Sequence, residues 1–89
     1  MTARVEIYTT EFCGYCTRAK SLLASKGVTF EEYKAGGDVE KKLEMIQRSG
    51  GYTFPQVFIN GRHVGGSDDI HDLDRQGRLD ALLAEPAAA

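Results

Sequence analysis

The chain has 89 residues, the length of one domain, and its 42% of apolar residues can form a packed core. Eleven Lys and Arg against 13 Asp and Glu leave a net charge of −2, which offers nucleic acid little attraction. No segment has the about 20 consecutive apolar residues of a membrane span, and the N-terminus lacks a signal peptide's apolar region. We therefore expect a single cytoplasmic domain over residues 1–89, with a frayed tail at 85–89 and no nucleic-acid or membrane partner.

The first half of the chain alternates strand and helix patterns. Residues 5–10 are rich in β-formers and predict a strand, and apolar residues at helical spacing in 19–23 predict a helix that ends at Gly27. Apolar residues near a period of two predict a second strand over 28–33.

A second helix is predicted after the glycines at positions 36 and 37. Asp38 is suited to its N-cap, and Val39, Leu43 and Ile46 would form its apolar face. Gly50 and the glycine after it would close this helix.

The last third of the chain begins with a hairpin. Residues 56–59 and 62–64 predict two strands, and Asn60-Gly61 between them favours a type I′ turn. Ser67 is predicted to cap a helix, and a short helix is expected over 79–83. The order βαβαββα predicts an α/β fold, with a mixed four-stranded sheet and helices on both faces.

Both cysteines lie in the segment Cys13-Gly14-Tyr15-Cys16, at the predicted junction of strand and helix. A bond between them closes too small a loop to stabilise a fold much. Unpaired N–H groups and the helix dipole favour a thiolate at Cys13, with a pKa between about 3.5 and 7.5 instead of about 8.5. Cys16, one turn further along, should be buried and protonated. The spacing therefore predicts that Cys13 attacks a disulfide and that Cys16 resolves the product.

Cys-x-x-Cys spacing on its own also fits half of a zinc site or a pair of inert thiols. A zinc site needs two more ligands, and the two histidines of the chain, His63 and His71, are not spaced as a ligand pair. The strand before the cysteines and the helix after them favour the redox interpretation.

Three motifs resemble those of the glutaredoxins, the small thioredoxin-fold reductases that use glutathione. They are residues 8–20 around the cysteines, Thr53-Phe54-Pro55, and Gly65-Gly66-Ser67-Asp68-Asp69. The resemblance covers nearly the whole chain. It implies a glutathione-dependent thiol-disulfide oxidoreductase that reduces protein-glutathione mixed disulfides and protein disulfides. Its partners would be glutathione, such proteins and, indirectly, glutathione reductase.

The resemblance also implies a glutathione site. The Phe54-Pro55 bond would be cis, and the Phe54 backbone would pair with the glutathione backbone. Asp68 would hold the ammonium group of glutathione, and Lys42 its glycine carboxylate. The complete set of expected glutathione-binding residues is Tyr15, Lys42, Thr53, Phe54, Pro55, Gly66, Ser67 and Asp68.

Four residues, Thr10, Gly14, Phe54 and Ser67, depart from the pattern of most dithiol glutaredoxins, and two of them bear on the chemistry of Cys13. Gly14 stands where proline is usual, and family members with a small residue here are those that can hold a [2Fe-2S] cluster. In the alternative function, Cys13 and glutathione would bind such a cluster in a dimer; otherwise we expect a monomer without metal. Thr10 replaces a usual lysine, which predicts a less acidic Cys13 and weaker glutathione binding.

Overall fold

The computed structural model describes residues 3–87. Its sheet contains the strands β1 (Val5–Thr9), β2 (Glu31–Lys34), β3 (Gln56–Ile59) and β4 (Arg62–Gly65). Their order is β2-β1-β3-β4, with β1 parallel to β2 and antiparallel to β3, and β3 antiparallel to β4. The predicted mixed four-stranded sheet is confirmed.

Helices cover both faces of this sheet, as predicted. They are α1 (Gly14–Ser25), α2 (Val39–Ser49), α3 (Ser67–Arg75) and α4 (Leu79–Ala84), with a 3-10 turn at Ala35–Gly37. Side chains of one face of β1 and β3 form the larger core cluster with α1, α3 and α4. The other face forms a smaller cluster with α2. The members of this smaller cluster are Tyr8, Ala35, Met45 and Phe58.

The predicted apolar face of α2 is wrong at Val39 and Leu43 and correct at Ile46, which packs against the smaller cluster. Val39 and Leu43 are 75% and 54% exposed, whereas Met45 is completely buried. The helix meets the sheet partly through charged side chains, because Glu44 is hydrogen-bonded to the Tyr8 hydroxyl. A pattern that counts apolar residues alone does not detect such an interface.

Two element boundaries also differ from the sequence analysis. The second strand begins at Glu31, and the preceding Val28 and Phe30 pack against the core without entering the sheet. Ser67 is the first residue of α3 instead of its cap. The Asp69 carboxylate accepts the Gly66 N–H at 2.8 Å, so a side chain inside the helix satisfies the N-cap backbone.

Two turn signals are confirmed. The Asp38 carboxylate accepts the Lys41 N–H at 3.1 Å and caps α2. Asn60 and Gly61 both have positive φ, 51° and 78°, as a type I′ turn between β3 and β4 requires. The turn between β3 and β4 is therefore of the predicted type.

The C-terminal segment contacts this hairpin. Arg62 forms an ion pair with Glu85, and the Asn60 amide donates to the Pro86 carbonyl at 3.2 Å. Ala88 and Ala89 of the expected frayed tail lie outside the described residues. None of the helices within residues 3–87 has the length and apolarity that crossing a membrane requires.

Candidate functional site

Cys13 lies where the chain turns from β1 into α1. It is the N-cap of α1 in an extended conformation, and its Sγ accepts the Cys16 N–H at 3.1 Å. An N–H group directed at sulfur stabilises negative charge there, as does the positive end of the helix dipole. The predicted position of Cys13 at a helix start is confirmed.

The two cysteines are joined in a disulfide and differ in burial. Cys16 is 2% exposed, whereas Cys13 is half-buried, beyond the C-terminal end of the inner strand β1. An incoming sulfur atom can therefore reach Cys13 and not Cys16. The bond between them shows that Cys16 reaches the Cys13 sulfur without leaving the helix.

On one side of Cys13 lies a groove of about 320 Å³, which we call the Pro55 groove. Its floor contains the cis Phe54-Pro55 peptide, and the Phe54 carbonyl oxygen lies 4.0 Å from Cys13 Sγ. Seven of the eight residues that the sequence analysis expected around glutathione line it. The residues lining the groove are Tyr15, Thr53, Phe54, Pro55, Gly66, Ser67, Asp68 and Asp69. The eighth, Lys42, is exposed on α2 and does not line this groove.

The start of α3 forms the far wall of the Pro55 groove. A Cβ on Gly66 would lie 3.3 Å from the Pro55 carbonyl oxygen, so the two backbones are in close contact. Gly65 has a φ of +115°, and a Cβ there would overlap the Asp69 side chain that caps the helix. Glycine at 65 is thus required by both backbone conformation and space.

Replacing Gly65 with alanine is expected to lower the free energy of unfolding by about 2 kcal/mol, because the substitution combines an unfavourable φ with displacement of Asp69. Urea denaturation measures the change. Gly37→Ala is the matched control, since a Cβ there meets no atom within 4 Å and its φ is not positive. Equal stability of the two variants would contradict the assigned geometry of the α3 start.

A second depression of about 410 Å³ lies on the opposite side of Cys13, and we call it the Thr10 cleft. No sequence motif predicts this cleft, because it forms where β1, β2 and α1 meet in three dimensions. The residues lining the cleft are Thr9, Thr10, Glu11, Phe12, Cys13, Gly14, Cys16, Thr17, Lys20, Glu32 and Lys34. Lys20 and Lys34 bring positive charge to this side of Cys13, where Thr10 stands in place of a cation.

Glu32 carries negative charge in the same cleft. Its carboxylate accepts the Thr9 hydroxyl at 2.7 Å and pairs with the Lys20 ammonium at 3.0 Å. The hydrogen bond from Thr9, and then the contact with Lys20, hold the pKa of Glu32 below its usual value. This carboxylate is therefore ionised at neutral pH and offsets the charge of Lys20.

Neither histidine approaches the cysteines as a metal ligand would. His63 Nε2 lies 2.6 Å from Gln56 Oε1, and His71 Nδ1 lies 2.7 Å from the Ser67 carbonyl oxygen. Across residues 3–87, His, Cys, Asp and Glu side chains form no group of three that is able to hold a metal ion. An iron-sulfur cluster on Cys13 would therefore need most of its ligands from other molecules.

Comparison with known proteins gives three consistent likenesses. Residues 5–64 match the family model described as Glutaredoxin. The chain is 57% identical over 81 residues to Glutaredoxin 3 of Escherichia coli strain K12, covering 91% of this chain and 98% of that protein. The solution structure of glutaredoxin from Brucella melitensis has a TM-score of 0.81 and 51% identity, covering 92% and 89% of the two chains.

A glutaredoxin structure that was solved as a complex is also similar to this chain. The crystal structure of the buckwheat glutaredoxin-glutathione complex has a TM-score of 0.82 and 28% identity, covering 91% of this chain and 76% of that one. Extensive identity, a common fold and a Cys-x-x-Cys pair at a helix start agree with one another. The chain belongs to the glutaredoxin family and is a thiol-disulfide oxidoreductase with a thioredoxin-like fold.

Proposed function

We propose that this protein uses glutathione to reduce protein-glutathione mixed disulfides and protein disulfides in the cytoplasm. The observation that supports this most directly is the Pro55 groove, which extends from Phe54, whose carbonyl oxygen lies 4.0 Å from Cys13 Sγ, to the start of α3. An extended tripeptide placed in it would have its sulfur beside Cys13. A solved relative from buckwheat was crystallised as a glutathione complex.

Reduction of a mixed disulfide needs only Cys13. Its thiolate attacks the glutathione sulfur of the substrate, forms a Cys13-glutathione disulfide, and releases the protein sulfur as a thiolate that takes up a proton. The thiolate of a second glutathione then attacks the glutathione sulfur that is bonded to Cys13. This step regenerates the Cys13 thiolate and forms glutathione disulfide, which glutathione reductase returns to two thiols.

Reduction of a protein disulfide uses both cysteines. Cys13 attacks one sulfur of the substrate disulfide and releases the other as a thiol, which leaves a mixed disulfide on Cys13. Cys16 then attacks the Cys13 sulfur and releases the second substrate thiol. The Cys13-Cys16 disulfide is the product of this step, and two glutathione molecules reduce it. Because Cys16 is buried next to Cys13, its thiol is protected from other reactions until the mixed disulfide forms.

Glutathione would be held at both ends and along its backbone. The Phe54 backbone is available for peptide pairing, and the backbone N–H groups at the α3 start favour the γ-glutamyl carboxylate. Asp68 is exposed in the first turn of α3, where its carboxylate would pair with the γ-glutamyl ammonium. Lys42 would reach the glycine carboxylate from α2, outside the Pro55 groove itself.

The proposal is tested by a coupled assay that contains glutathione, glutathione reductase, NADPH and the mixed disulfide of cysteine and glutathione. We expect NADPH oxidation that depends on the protein and saturates with the mixed disulfide. Turnover with thioredoxin reductase and none with glutathione would show that the protein uses a different reductant.

Replacing Asp68 with asparagine is expected to raise the KM for the cysteine-glutathione mixed disulfide about tenfold. Asparagine keeps the shape but removes the negative charge, and a charge-assisted hydrogen bond is about twice as strong as a neutral one. The kcat should change little, since this contact is made equally in ground and transition states. Asp72→Asn, on the same helix and outside the Pro55 groove, is the control.

The iron-sulfur alternative stays a prediction. It rests on Gly14 after Cys13, because glutaredoxins with a small residue at this position are those that can hold a cluster, and a Cβ on Gly14 would meet no atom within 4 Å outside its chain neighbours. Anaerobic reconstitution with iron, sulfide and glutathione distinguishes the two functions. A coloured dimer would support a cluster carrier, whereas a colourless monomer would dismiss it.

A further inference from the structure

Phe12, in the turn between β1 and α1, combines a left-handed backbone with an exposed apolar side chain. Its side chain is 105% exposed, although it is a large apolar residue directly before Cys13. Its φ is 53°, in the left-handed region. Asn60 is the other such non-glycine residue within residues 3–87, and asparagine suits its hairpin turn, whereas phenylalanine has no local compensation. Uncompensated strain beside a reactive group points to a functional contact.

Phe12 belongs to the Thr10 cleft and not to the Pro55 groove. Its side chain therefore lines a different depression from the seven expected glutathione-binding residues of the Pro55 groove. Cys13, whose sulfur becomes bonded to the substrate, lines the Thr10 cleft, and its Sγ lies 4.0 Å from the carbonyl oxygen of Phe54, which lines the Pro55 groove. A substrate with two halves can occupy both depressions at once.

The occupant of the Thr10 cleft follows from the proposed function, on which this inference rests. A glutathionylated protein consists of a tripeptide and a polypeptide joined by a disulfide. When the tripeptide fills the Pro55 groove, the polypeptide must pass over the remaining surface around Cys13. That surface is the Thr10 cleft with Phe12 at its rim.

The charges in the Thr10 cleft indicate which polypeptides it favours. Its acidic residues Glu11 and Glu32 balance the basic residues Lys20 and Lys34, so the cleft has no net charge. Electrostatic attraction therefore selects neither acidic nor basic partners. Phe12 remains as the group able to distinguish substrates, through burial of apolar surface.

We propose that Phe12 docks the polypeptide half of glutathionylated substrates and favours those with an apolar side chain next to the modified cysteine. It acts as a specificity-determining residue at the edge of the site. Cys13 and the Pro55 groove act on every glutathione mixed disulfide, whereas Phe12 contacts only substrates with a polypeptide portion.

Two synthetic peptides of equal length test this proposal, each glutathionylated on a single cysteine that is preceded by leucine in one and serine in the other. The assay couples their reduction to glutathione reductase. We expect the wild type to prefer the leucine peptide about fivefold in kcat/KM, the effect of partly burying one apolar side chain. Phe12→Ala should reduce this preference to nearly one, and Phe12→Tyr should keep it.

Tyr52→Ala is the matched control, because Tyr52 is also an exposed aromatic, at 72%, and lines neither depression. Its preference should equal that of the wild type. A preference that survives in Phe12→Ala, or that falls equally in Tyr52→Ala, would overturn the assignment to Phe12. Failure of the wild type to reduce either peptide would instead overturn the proposed function.

Discussion

Cys13→Ser should abolish turnover of the cysteine-glutathione mixed disulfide, whereas Cys16→Ser should keep much of it. A serine hydroxyl is not ionised at neutral pH and forms no mixed disulfide, so no part of the cycle proceeds without Cys13. Cys16 takes part only when a protein disulfide is reduced. The coupled assay with glutathione and glutathione reductase measures both variants on the same substrate.

The intermediate provides an independent measurement. Cys16→Ser should accumulate one glutathionyl group on Cys13 when it is mixed with glutathione disulfide, and mass spectrometry of the intact protein detects it. The wild type should instead form the Cys13-Cys16 disulfide. Equal loss of turnover in the two variants would mean that the resolving cysteine is essential and that the one-cysteine route is wrong.

With a protein disulfide as substrate, Cys16→Ser should lose the activity that it keeps with the mixed disulfide. Attack of Cys13 on the protein disulfide leaves a substrate sulfur bonded to the enzyme, and Cys16 is the nearby thiol that releases it. Cys16→Ser should therefore stall as a covalent complex that non-reducing electrophoresis detects. The two substrates together separate the roles of the cysteines.

The parts of the fold that the sequence predicted correctly are those with a local physical cause. Asn60-Gly61 tolerates two left-handed residues, which fixes the hairpin. Asp38 satisfies an N–H group at the start of α2, and Gly50 ends that helix with a φ of 74°. Each signal lies within a few residues of the structure it determines.

One error occurs where distant residues decide the structure, and the other where a local hydrogen bond differs from the one that the residue types suggest. The predicted α2 face consists of Val39, Leu43 and Ile46, but only Ile46 packs against the core, and charged residues such as Glu44 bind partners on β1. The cap at Ser67 was predicted from residue type, whereas Asp69 accepts the Gly66 N–H from inside the helix. Sequence periodicity contains neither of these contacts.

The candidate site also has a part that short motifs predict and a part that only the folded chain forms. The motifs contain residues that the structure brings together in the Pro55 groove, because three short segments carry that surface. The Thr10 cleft escaped prediction, because Lys20 and Glu32 meet only after α1 packs against the sheet. The same is true of the exposed, left-handed Phe12, whose sequence neighbours give no sign of either property.

Replacing Arg48 with methionine is expected to lower the free energy of unfolding by about 3 kcal/mol, since it leaves the charge of Glu6 buried with reduced compensation. Glu6 lies on β1 and is 5% exposed. Arg48 on α2 donates to its two carboxylate oxygens at 3.0 and 3.2 Å, and Tyr33 donates to it at 2.9 Å. Urea denaturation at neutral pH measures the loss.

The effect should depend on pH. Burial alone would raise the pKa of Glu6, but hydrogen bonds from Arg48 and Tyr33 and the charge of Arg48 outweigh it, so the pKa is lowered. A lowered pKa contributes stability above the unfolded value, about 4.3, and that contribution is lost as the pH falls through the folded value. The difference between wild type and Arg48→Met should therefore shrink below about pH 4.

A double variant isolates the ion pair from the packing of the Arg48 side chain, whose guanidinium lies 4.0 Å from the centre of the Phe58 ring. Glu6→Gln removes the charge but keeps a group able to accept the Tyr33 hydroxyl. Because burial raises the pKa of Tyr33 to about 12, with the Glu6 hydrogen bond adding to it, that hydroxyl remains a donor throughout the measured range. Glu6→Gln with Arg48→Met should be more stable than Arg48→Met alone, since no buried charge remains unpaired. Strictly additive losses would mean that Arg48 stabilises α2 through its contact with Phe58 and that the charge of Glu6 is compensated elsewhere.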